Sequence, residues 1–162
     1  MIVRALTAED ADELAALLAE SREWLAPHEP VRDERFFTPD GQRERIQNEG
    51  SHAFAILADD RIAGTVTISN IARGPFQSGS LGYWIAEPFS GRGLTTRAVS
   101  AVVAIAFSDL SLHRLEAATL VDNVPSQRVL EKNGFELIGL ARRYLEIAGE
   151  WSDHLLFQRT AG

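Results

Sequence analysis

The sequence predicts an α/β protein (α+β in its segregation of elements) with seven strands and four helices. Short segments of aliphatic and aromatic residues alternate with longer segments whose apolar residues recur every three or four positions. Hairpin turns join neighbouring strands at Asp59-Asp60 and at Ala148-Gly149-Glu150. The longest helical pattern, which begins at Leu94, is apolar over much of its girth, as is typical of a helix packed on a sheet. We therefore expect a mixed, mostly antiparallel sheet flanked by helices.

The first half of the chain contains four predicted strands and two predicted helices. Thr7, with Asp10 three residues later, resembles a helix N-terminal cap, and Thr38-Pro39 resembles a cap followed by a first-turn proline. Residues 24–37 interrupt the helical pattern with prolines, so a loop or a broken helix is expected there. Residues 71–79 are expected to be a flexible connection. The predicted strands are 2–6, 53–58, 61–69 and 81–86, and the predicted helices are 8–22 and 38–49.

The second half continues with two helices and three strands. A long helix is predicted over residues 94–109 and a short one over 124–133, where Gly134-Phe135 ends it. The predicted strands are 115–121 and a final hairpin of 136–147 with 151–159. Because the sequence shows no repeat, low-complexity tract or linker, we expect residues 1–162 to form a single domain, long enough to bury a core.

Composition excludes several classes of function. The chain has no cysteine, which excludes disulfides, thiolate metal sites and a cysteine nucleophile. Its net charge of -7 disfavours nucleic acid as a partner and favours a cationic substrate such as an amine. The longest apolar stretch, residues 98–107, is far shorter than the ~20 residues of a membrane span, and the N-terminus lacks a signal-peptide core. We expect a soluble, cytoplasmic protein with no membrane partner and no metal.

The turn between residues 88 and 96 is the most informative local motif. It joins a predicted strand to a predicted helix through Ser90-Gly91-Arg92-Gly93-Leu94-Thr95-Thr96. A helix start leaves N–H groups without partners, and glycines let a phosphate approach the backbone. The dinucleotide fingerprint would need glycine or alanine at Thr96, and the Walker loop would need a lysine that is missing here. A phosphate site and a simple tight turn both remain open on this motif alone.

Four short segments in a fixed order extend this motif over the chain. They are Leu81-Gly82-Tyr83-Trp84-Ile85-Ala86, Ser90-Gly91-Arg92-Gly93-Leu94-Thr95, Asn123-Val124-Pro125-Ser126 and Glu131-Lys132-Asn133-Gly134-Phe135. Together they resemble the GNAT family of N-acetyltransferases, and within it the branch that acetylates the N-termini of ribosomal proteins. The most specific feature is Asn-x-x-Ser followed, after a short helix, by Gly-Phe. The resemblance implies a seven-stranded sheet that splays beside a coenzyme A site.

The resemblance assigns coenzyme-binding roles to residues that match the family pattern. The family's phosphate loop aligns with Ser90, Gly93 and Thr95. Only Gly93 is the residue that the family usually has at its position. The N–H groups of residues 92–96 are expected to hold the pyrophosphate, and the backbone at Trp84 and Ile85 to pair with the pantetheine amides. Either Arg97 or Arg128 is expected to reach phosphate; for each, a solvated charge on a helix surface is the alternative. The complete set expected at the coenzyme is Trp84, Ile85, Ser90, Gly91, Arg92, Gly93, Leu94, Thr95, Thr96, Arg97, Asn123 and Arg128.

Asn123 and Ser126 carry the expected chemistry at the thioester. In the resembled branch the Asn binds the pantetheine arm and the Ser lies near the sulfur. Because sulfur leaves as a thiolate, a hydroxyl within hydrogen-bond reach stabilises or protonates it. The alternative for this segment is a helix cap with proline in the first turn, and the two roles are compatible.

The sequence offers several candidates for the general base. The family's usual tyrosine position is Leu130, and the glutamate used by the ribosomal branch falls at Leu145, with Glu146 on the other face of the strand. We rank Glu116 first, although a sheet-edge charge is its alternative. The other candidates are Tyr83, His28, His113 and Asp153-His154. A water relay without a strong base is a further possibility, because an α-amine of pKa about 8 is easier to neutralise than lysine, at 10.4, by about 3 kcal/mol.

The acceptor is expected to be a primary amine, with a protein N-terminal α-amine first. A small amine, such as an antibiotic, polyamine or amino-acid derivative, is the alternative acceptor, and a non-catalytic acyl-coenzyme A binding module is the rival of another class. The resemblance also allows a homodimer. Four aromatic residues are candidates for the acceptor wall, with core filling as their alternative: Trp24, Phe36, Phe37 and Trp151.

Overall fold

Segments rich in aliphatic and aromatic residues form seven strands: β1 (Val3–Ala5), β2 (His52–Ala58), β3 (Arg61–Ala72), β4 (Ser78–Ile85), β5 (Arg114–Leu120), β6 (Glu136–Ile147) and β7 (Glu150–Thr160). The computed structural model describes residues 1–162. The strands pair into one sheet in the order β1-β2-β3-β4-β5-β7-β6. Only β4 and β5 pair in parallel, while the other neighbours are antiparallel. The predicted mixed, mostly antiparallel seven-stranded sheet is confirmed.

Five α-helices accompany the sheet, where the sequence predicted four: α1 (Ala11–Glu20), α2 (Arg22–Leu25), α3 (Pro39–Ile46), α4 (Leu94–Ser108) and α5 (Val124–Lys132). The additional helix arises because the backbone leaves the helical conformation at Ser21, where ψ is 2°. The segment before α1 is a 3₁₀ turn, which the Thr7 N–H fixes by donating to Asp10 Oδ2 at 2.8 Å. No helix here combines the length and the hydropathy that a membrane crossing needs.

The segment between α2 and α3 is a broken helix, as predicted. It contains two 3₁₀ turns, Ala26–His28 and Glu34–Phe37. The Thr38 hydroxyl then caps α3 by accepting from the Gly41 N–H at 3.1 Å, with Pro39 in the first turn.

The flexible connection predicted over residues 71–79 is shorter in the structure, because strands cover both ends of that range. Strand β3 continues to Ala72 and β4 begins at Ser78, so only five positions, Arg73 to Gln77, connect them. The Arg73 guanidinium donates to Gln77 Oε1 at 3.0 Å and to the Leu110 carbonyl at 2.7 Å. These bonds close the turn tightly, and the strands therefore extend to it.

Apolar side chains pack on both faces of the sheet, because successive strand residues point to opposite faces. The larger core cluster joins β2 and β3 to α4 and contains Ile56, Val66, Ile68, Val99 and Val102, all fully buried. The smaller cluster covers the other face, where Leu14 and Leu18 of α1 meet Ala55, Leu57 and Ile62. The sheet is therefore held between α4 and α1.

Strands β4 and β5 diverge soon after they meet. Their parallel pairing covers only Ser78 to Ser80 and Arg114 to Glu116. Strand β4 then continues beside β3 as far as Ile85, whereas β5 continues beside β7 as far as Leu120. The resulting opening, called the β4–β5 gap below, lies next to the start of α4.

Ile56→Ala is expected to lower the free energy of unfolding by about 2–5 kcal/mol, because it leaves a cavity in a fully buried site. Urea denaturation followed by circular dichroism measures the loss. Ile138→Ala is the matched control, since this side chain is 50% exposed and its removal should change stability by about 0.5 kcal/mol or less. Equal losses for the two variants would contradict this description of the core.

Candidate active site at the β4–β5 gap

The turn before α4 is shaped by two glycines and two side-chain bonds. Gly91 and Gly93 have φ of 75° and 74°, a left-handed conformation that favours glycine. The Ser90 hydroxyl donates to the Glu87 carbonyl at 2.7 Å, and the Arg92 guanidinium donates to the Pro88 carbonyl at 3.1 Å. Both side chains therefore hold the turn itself, which explains how Ser90 contributes in place of the family's larger residue.

The backbone N–H groups of this turn are directed away from protein acceptors. From Gly91 to Thr96, none of them donates to a protein acceptor, and the first N–H satisfied within the helix is that of Arg97, which donates to the Gly93 carbonyl at 3.2 Å. No protein atom lies within 4 Å of the positions that a Cβ would occupy at Gly91 and Gly93. A row of free donors at a helix start fits an anionic group such as a pyrophosphate.

Strand alternation determines which β4 residues present their backbone to the gap. The Ala86 N–H donates to the Ala63 carbonyl of the neighbouring chain segment at 2.8 Å, so Trp84, two residues earlier, also bonds toward β3. The backbone N–H and C=O groups of Tyr83 and Ile85 therefore face the gap, whereas those of Trp84 bond to β3, although Trp84 also lines the cleft. The Ile85 carbonyl accepts a hydrogen bond from Trp24 Nε1 at 3.0 Å. Its N–H remains directed into the gap.

A tyrosine and a serine meet beside the gap. Tyr83 Oη lies 2.8 Å from Ser126 Oγ and 3.1 Å from the Ser126 carbonyl oxygen. Burial raises the pKa of Tyr83 to about 12, and its hydrogen bond with Ser126 opposes this shift. The phenol is therefore a proton donor at neutral pH. When it donates to Ser126 Oγ, the serine keeps its own proton for another acceptor.

Asn123 caps helix α5, as the alternative interpretation predicted. Its Oδ1 accepts from the Ser126 N–H at 3.3 Å, while its side-chain Nδ2 has no protein acceptor. The cap fixes the first turn of α5 and with it the position of Ser126. Since Asn123 and Ser126 both line the cleft described below, the cap leaves an amide donor for a ligand.

The predicted bases lie in different environments. Glu116 lines the cleft but accepts from the Arg114 guanidinium at 3.1 Å. His28 is exposed and lines the cleft, whereas His113 is exposed outside it. Asp153 accepts from the Arg143 N–H at 2.9 Å and so fixes an irregularity of β6.

His154 is buried in the cleft wall, with Nδ1 at 2.8 Å from the Ser152 carbonyl oxygen. Leu130 is fully buried in the larger core cluster. Leu145 lines the cleft and Glu146 does not, in agreement with the expected alternation of β6. The usual positions of the family's base therefore hold apolar residues.

The remaining candidates divide between the cleft and the surface. Arg128 lines the cleft, whereas Arg97 is exposed on α4 outside it. Among the aromatic candidates, Trp24 and Phe36 line the cleft, while Phe37 packs in the smaller core cluster and Trp151 is exposed. Arg128, Trp24 and Phe36 are thus the members of these two sets that a cleft ligand can reach.

One cleft of about 1290 Å³ connects the glycine turn, the β4–β5 gap and the segment between α2 and α3. Sequence reasoning missed five charged residues that line it, of which Glu29, Arg32 and Arg45 lie close together and Asp122 and Lys132 lie elsewhere. Burial raises the pKa of Glu29, although Arg32, Arg45 and His28 lower it in part. The only sequence signal for the three that lie close together is a group of charged residues around a phenylalanine, a pattern that usually marks solvent-exposed surface.

The sequence comparison agrees with this geometry. Residues 1–136 match the family model described as an acetyltransferase (GNAT) domain. The chain is 36% identical over 165 residues to the ribosomal protein uS5-alanine N-acetyltransferase of Escherichia coli, covering 96% of this chain and 85% of that protein. The chain belongs to the GNAT acetyltransferase family. It is an N-acetyltransferase that uses acetyl-coenzyme A as co-substrate.

Solved structures of GNAT relatives have the same fold. The ribosomal-protein-S5-alanine acetyltransferase of Vibrio fischeri superposes with a TM-score of 0.92 at 36% identity, covering 98% of this chain and 91% of that one. Mycobacterium smegmatis RimJ, solved in complex with CoA-disulfide, gives 0.89 at 31% identity, covering 98% and 81%. The free donors of residues 91–96 and the open β4–β5 gap fit the diphosphate and the amide-containing arm of coenzyme A.

Gly93→Ala is expected to weaken coenzyme A binding at least about tenfold. Alanine is strained at φ 74°, so the backbone should shift and tilt the N–H groups that follow. Loss of one hydrogen bond to a charged group is enough to cause a tenfold loss of affinity. Gly74→Ala is the matched control, with φ 67°, equally open surroundings and a position outside the cleft. Both variants should lose about 1–2 kcal/mol of stability from the left-handed conformation. Calorimetric titration with coenzyme A distinguishes the two variants, because only Gly93→Ala should bind it more weakly. Equal coenzyme A affinities for the two variants would contradict the assignment of the phosphate site to this turn.

Proposed function

We propose that this GNAT enzyme transfers acetyl from acetyl-coenzyme A to the α-amine of a protein N-terminus, with a ribosomal protein as the acceptor class. The observation that carries the coenzyme half of the proposal is the row of free N–H groups from Gly91 to Thr96 beside the paired hydroxyls of Tyr83 and Ser126. The acceptor half is supported by the relatives in Escherichia coli and Vibrio fischeri, whose names specify an alanine of ribosomal protein S5.

Ser126 is the proposed proton donor to the leaving sulfur. As the amine nitrogen bonds to the acetyl carbon, the carbon–sulfur bond breaks and its electron pair moves to sulfur. The Ser126 hydroxyl gives its proton to this thiolate, and the proton lost by nitrogen restores the hydroxyl. In this proposal the Tyr83 hydroxyl, which lies within hydrogen-bond distance of both Ser126 Oγ and the Ser126 carbonyl, donates to Oγ and so leaves the serine proton free for transfer. Ser126 is therefore assigned a catalytic role and Tyr83 a positioning role.

Several other parts of the coenzyme site are included in the proposal. Asn123 Nδ2 and the Ile85 N–H are assigned to the pantetheine arm, since both are donors in the cleft without a protein acceptor. Arg128 is assigned to phosphate because it lines the cleft. Glu116 remains a candidate base whose carboxylate is already paired with Arg114.

The proposal treats residues 1–162 as a single acetyltransferase domain, because β6 and β7, beyond the part matched by the family model, complete the same sheet. A cytoplasmic location is also proposed, since ribosomal proteins are synthesised and acetylated there. A homodimer remains a prediction that sedimentation equilibrium tests.

Peptides with a free α-amine are expected to be better substrates than small amines by at least about tenfold in kcat/KM, because the cleft offers a peptide more contacts in the transition state. Release of coenzyme A thiol measures both rates, with an N-acetylated copy of each peptide as the control. Faster turnover of a polyamine, aminoglycoside or amino acid than of the peptides would show that the acceptor is a small amine and not a protein N-terminus. Absence of thiol release above hydrolysis with every amine would favour a binding module.

Ser126→Ala is expected to lower kcat about 100-fold, the lower end of the range for a positioned acid, with coenzyme A affinity within twofold. Tyr83→Phe should lower kcat about tenfold through loss of one hydrogen bond. Because Tyr83 acts through Ser126, Tyr83→Phe should have little further effect in the Ser126→Ala background. Additive losses in this double-mutant cycle would contradict the assigned pairing.

A further inference from the structure

A half-buried carboxylate, that of Glu29, lines the cleft on the segment between α2 and α3. Two hydrogen bonds fix this segment and helix α2, which precedes it. Trp24 Nε1 donates to the Ile85 carbonyl at the end of β4, at 3.0 Å, and the Ala148 N–H of the β6–β7 turn donates to the Glu29 carbonyl at 2.9 Å. Glu29 is therefore held between the β4–β5 gap and the final hairpin, with its side chain lining the cleft.

Glu29 differs from the other two carboxylates of the cleft, Glu116 and Asp122. Glu116 is paired at 3.1 Å with Arg114, whose guanidinium also donates to the side chains of Ser78 and Gln158. Asp122 is exposed to solvent. Glu29 is 28% exposed, and only its Oε2 has a protein partner, Arg32 Nη2 at the long distance of 3.4 Å. Its Oε1 is free to accept from a ligand.

Two arginines and a phenylalanine support this carboxylate. The guanidinium carbons of Arg32 and Arg45 lie 4.6 and 5.1 Å from the centre of the Phe36 ring. Arg32 Nε is buried without a hydrogen-bond partner. These contacts hold the arginines close to Glu29 without two-point pairing of the carboxylate. The two guanidinium groups outnumber the single carboxylate of the cluster, and one carboxylate oxygen stays available.

The charged groups that act on Glu29 are few. Arg32, Arg45 and His28 favour its ionised form, whereas burial disfavours that form more strongly and raises its pKa. The β6–β7 turn that bonds to its backbone, Ala148-Gly149, has no ionisable side chain, and the flanking Glu146 and Glu150 are exposed. The ordinary pKa of a glutamate is about 4.3, so the raised value lies closer to neutral pH.

We propose that Glu29 binds the acceptor's α-ammonium group and takes one proton from it. This inference rests on the proposed function and supplies the general base that the sequence did not identify. The ammonium N–H bond breaks, its proton moves to Oε1 of Glu29 and then to solvent, and the nitrogen lone pair becomes available to form the bond to the acetyl carbon. Arg32 is a positioning residue, because it holds Oε2 of the carboxylate and packs with Arg45 on the Phe36 ring.

Glu29→Gln is the test, with kcat/KM for an N-terminal peptide measured from pH 5 to 10. The wild-type rate should fall as pH decreases through the pKa of Glu29, because the protonated carboxyl can accept no proton. Glu29→Gln should lower kcat/KM at pH 7 about 100-fold, the lower end of the range for general-base catalysis. The remaining activity should rise with pH through the ionisation of the α-amine itself, near 8.

Two measurements keep a folding defect separate from a catalytic one. The variant should bind coenzyme A with the wild-type Kd by calorimetry and should keep its thermal midpoint. Glu34→Gln is the matched control, since Glu34 lies on the same segment and is paired with Arg22 at 2.8 Å, outside the cleft. It should retain the wild-type rate and pH profile. Glu29→Asp, which keeps a carboxylate, should recover part of the activity and part of the fall in kcat/KM at low pH.

The inference is overturned if Glu29→Gln keeps the wild-type rate and the wild-type fall in rate at low pH. It is also overturned if Glu116→Gln, rather than Glu29→Gln, removes that fall. Failure of the proposed function has a different signature. In that case the wild type acetylates a small amine and no peptide, and the same pH series with that amine still decides the role of Glu29. If the wild type releases no thiol above the hydrolysis background with any amine, both the proposed function and this inference are overturned.

Discussion

The divergence of β4 from β5 is the constraint on which the site depends. Their parallel pairing ends at Ser80 and Glu116, after which each strand stays with its antiparallel neighbour. Strand β5 is paired with β7 as far as Leu120 and His154, and β4 with β3 as far as Ile85 and Gly64. Antiparallel pairing is slightly more stable per residue than parallel pairing, so the two ladders hold their strands apart.

Divergence leaves backbone polar groups in the middle of the sheet without strand partners. A buried N–H or C=O group without a hydrogen bond is costly, so such groups are met by another part of the protein, by water or by a ligand. The Trp24 indole satisfies the Ile85 carbonyl, while the neighbouring groups face the gap. An extended, amide-containing arm can take the place of the absent strand pairing, which is why the opening suits a pantetheine chain.

The two parts of the cleft differ in electrostatics. The part nearest α4 and α5 offers backbone N–H groups, the hydroxyls of Tyr83 and Ser126, and the cations Arg128 and Lys132. The part formed by the segment before α3 holds the charged groups of Glu29, Arg32 and Arg45. Donors aligned at a helix start stabilise phosphate, and a carboxylate suits a cationic acceptor. In the proposed reaction, an anionic coenzyme and a cationic acceptor meet at the end of β4.

The sequence by itself determined the features that depend on neighbouring residues. The glycine turn, the Asn123 cap of α5, the Thr38 cap of α3 and the bounds of most strands follow from local backbone chemistry, and the structure agrees with them. The family pattern added the splayed sheet. The helix break at Ser21 and the short β3–β4 turn were missed, because a backbone bend and the Arg73 bond to Leu110 have no local sequence signature.

Only the tertiary structure decided which distant side chains meet. Tyr83 and Ser126 are 43 positions apart, and their contact depends on the register of β4 and the place of α5 beside it. Trp84, rather than Ile85, bonds toward β3 because of that same register. The gathering of Arg32 and Arg45 around the Phe36 ring, with Glu29 beside Arg32, likewise requires α3 to pack beside the preceding segment. Sequence periodicity fixes the face of an element, but strand order and register fix what that face touches.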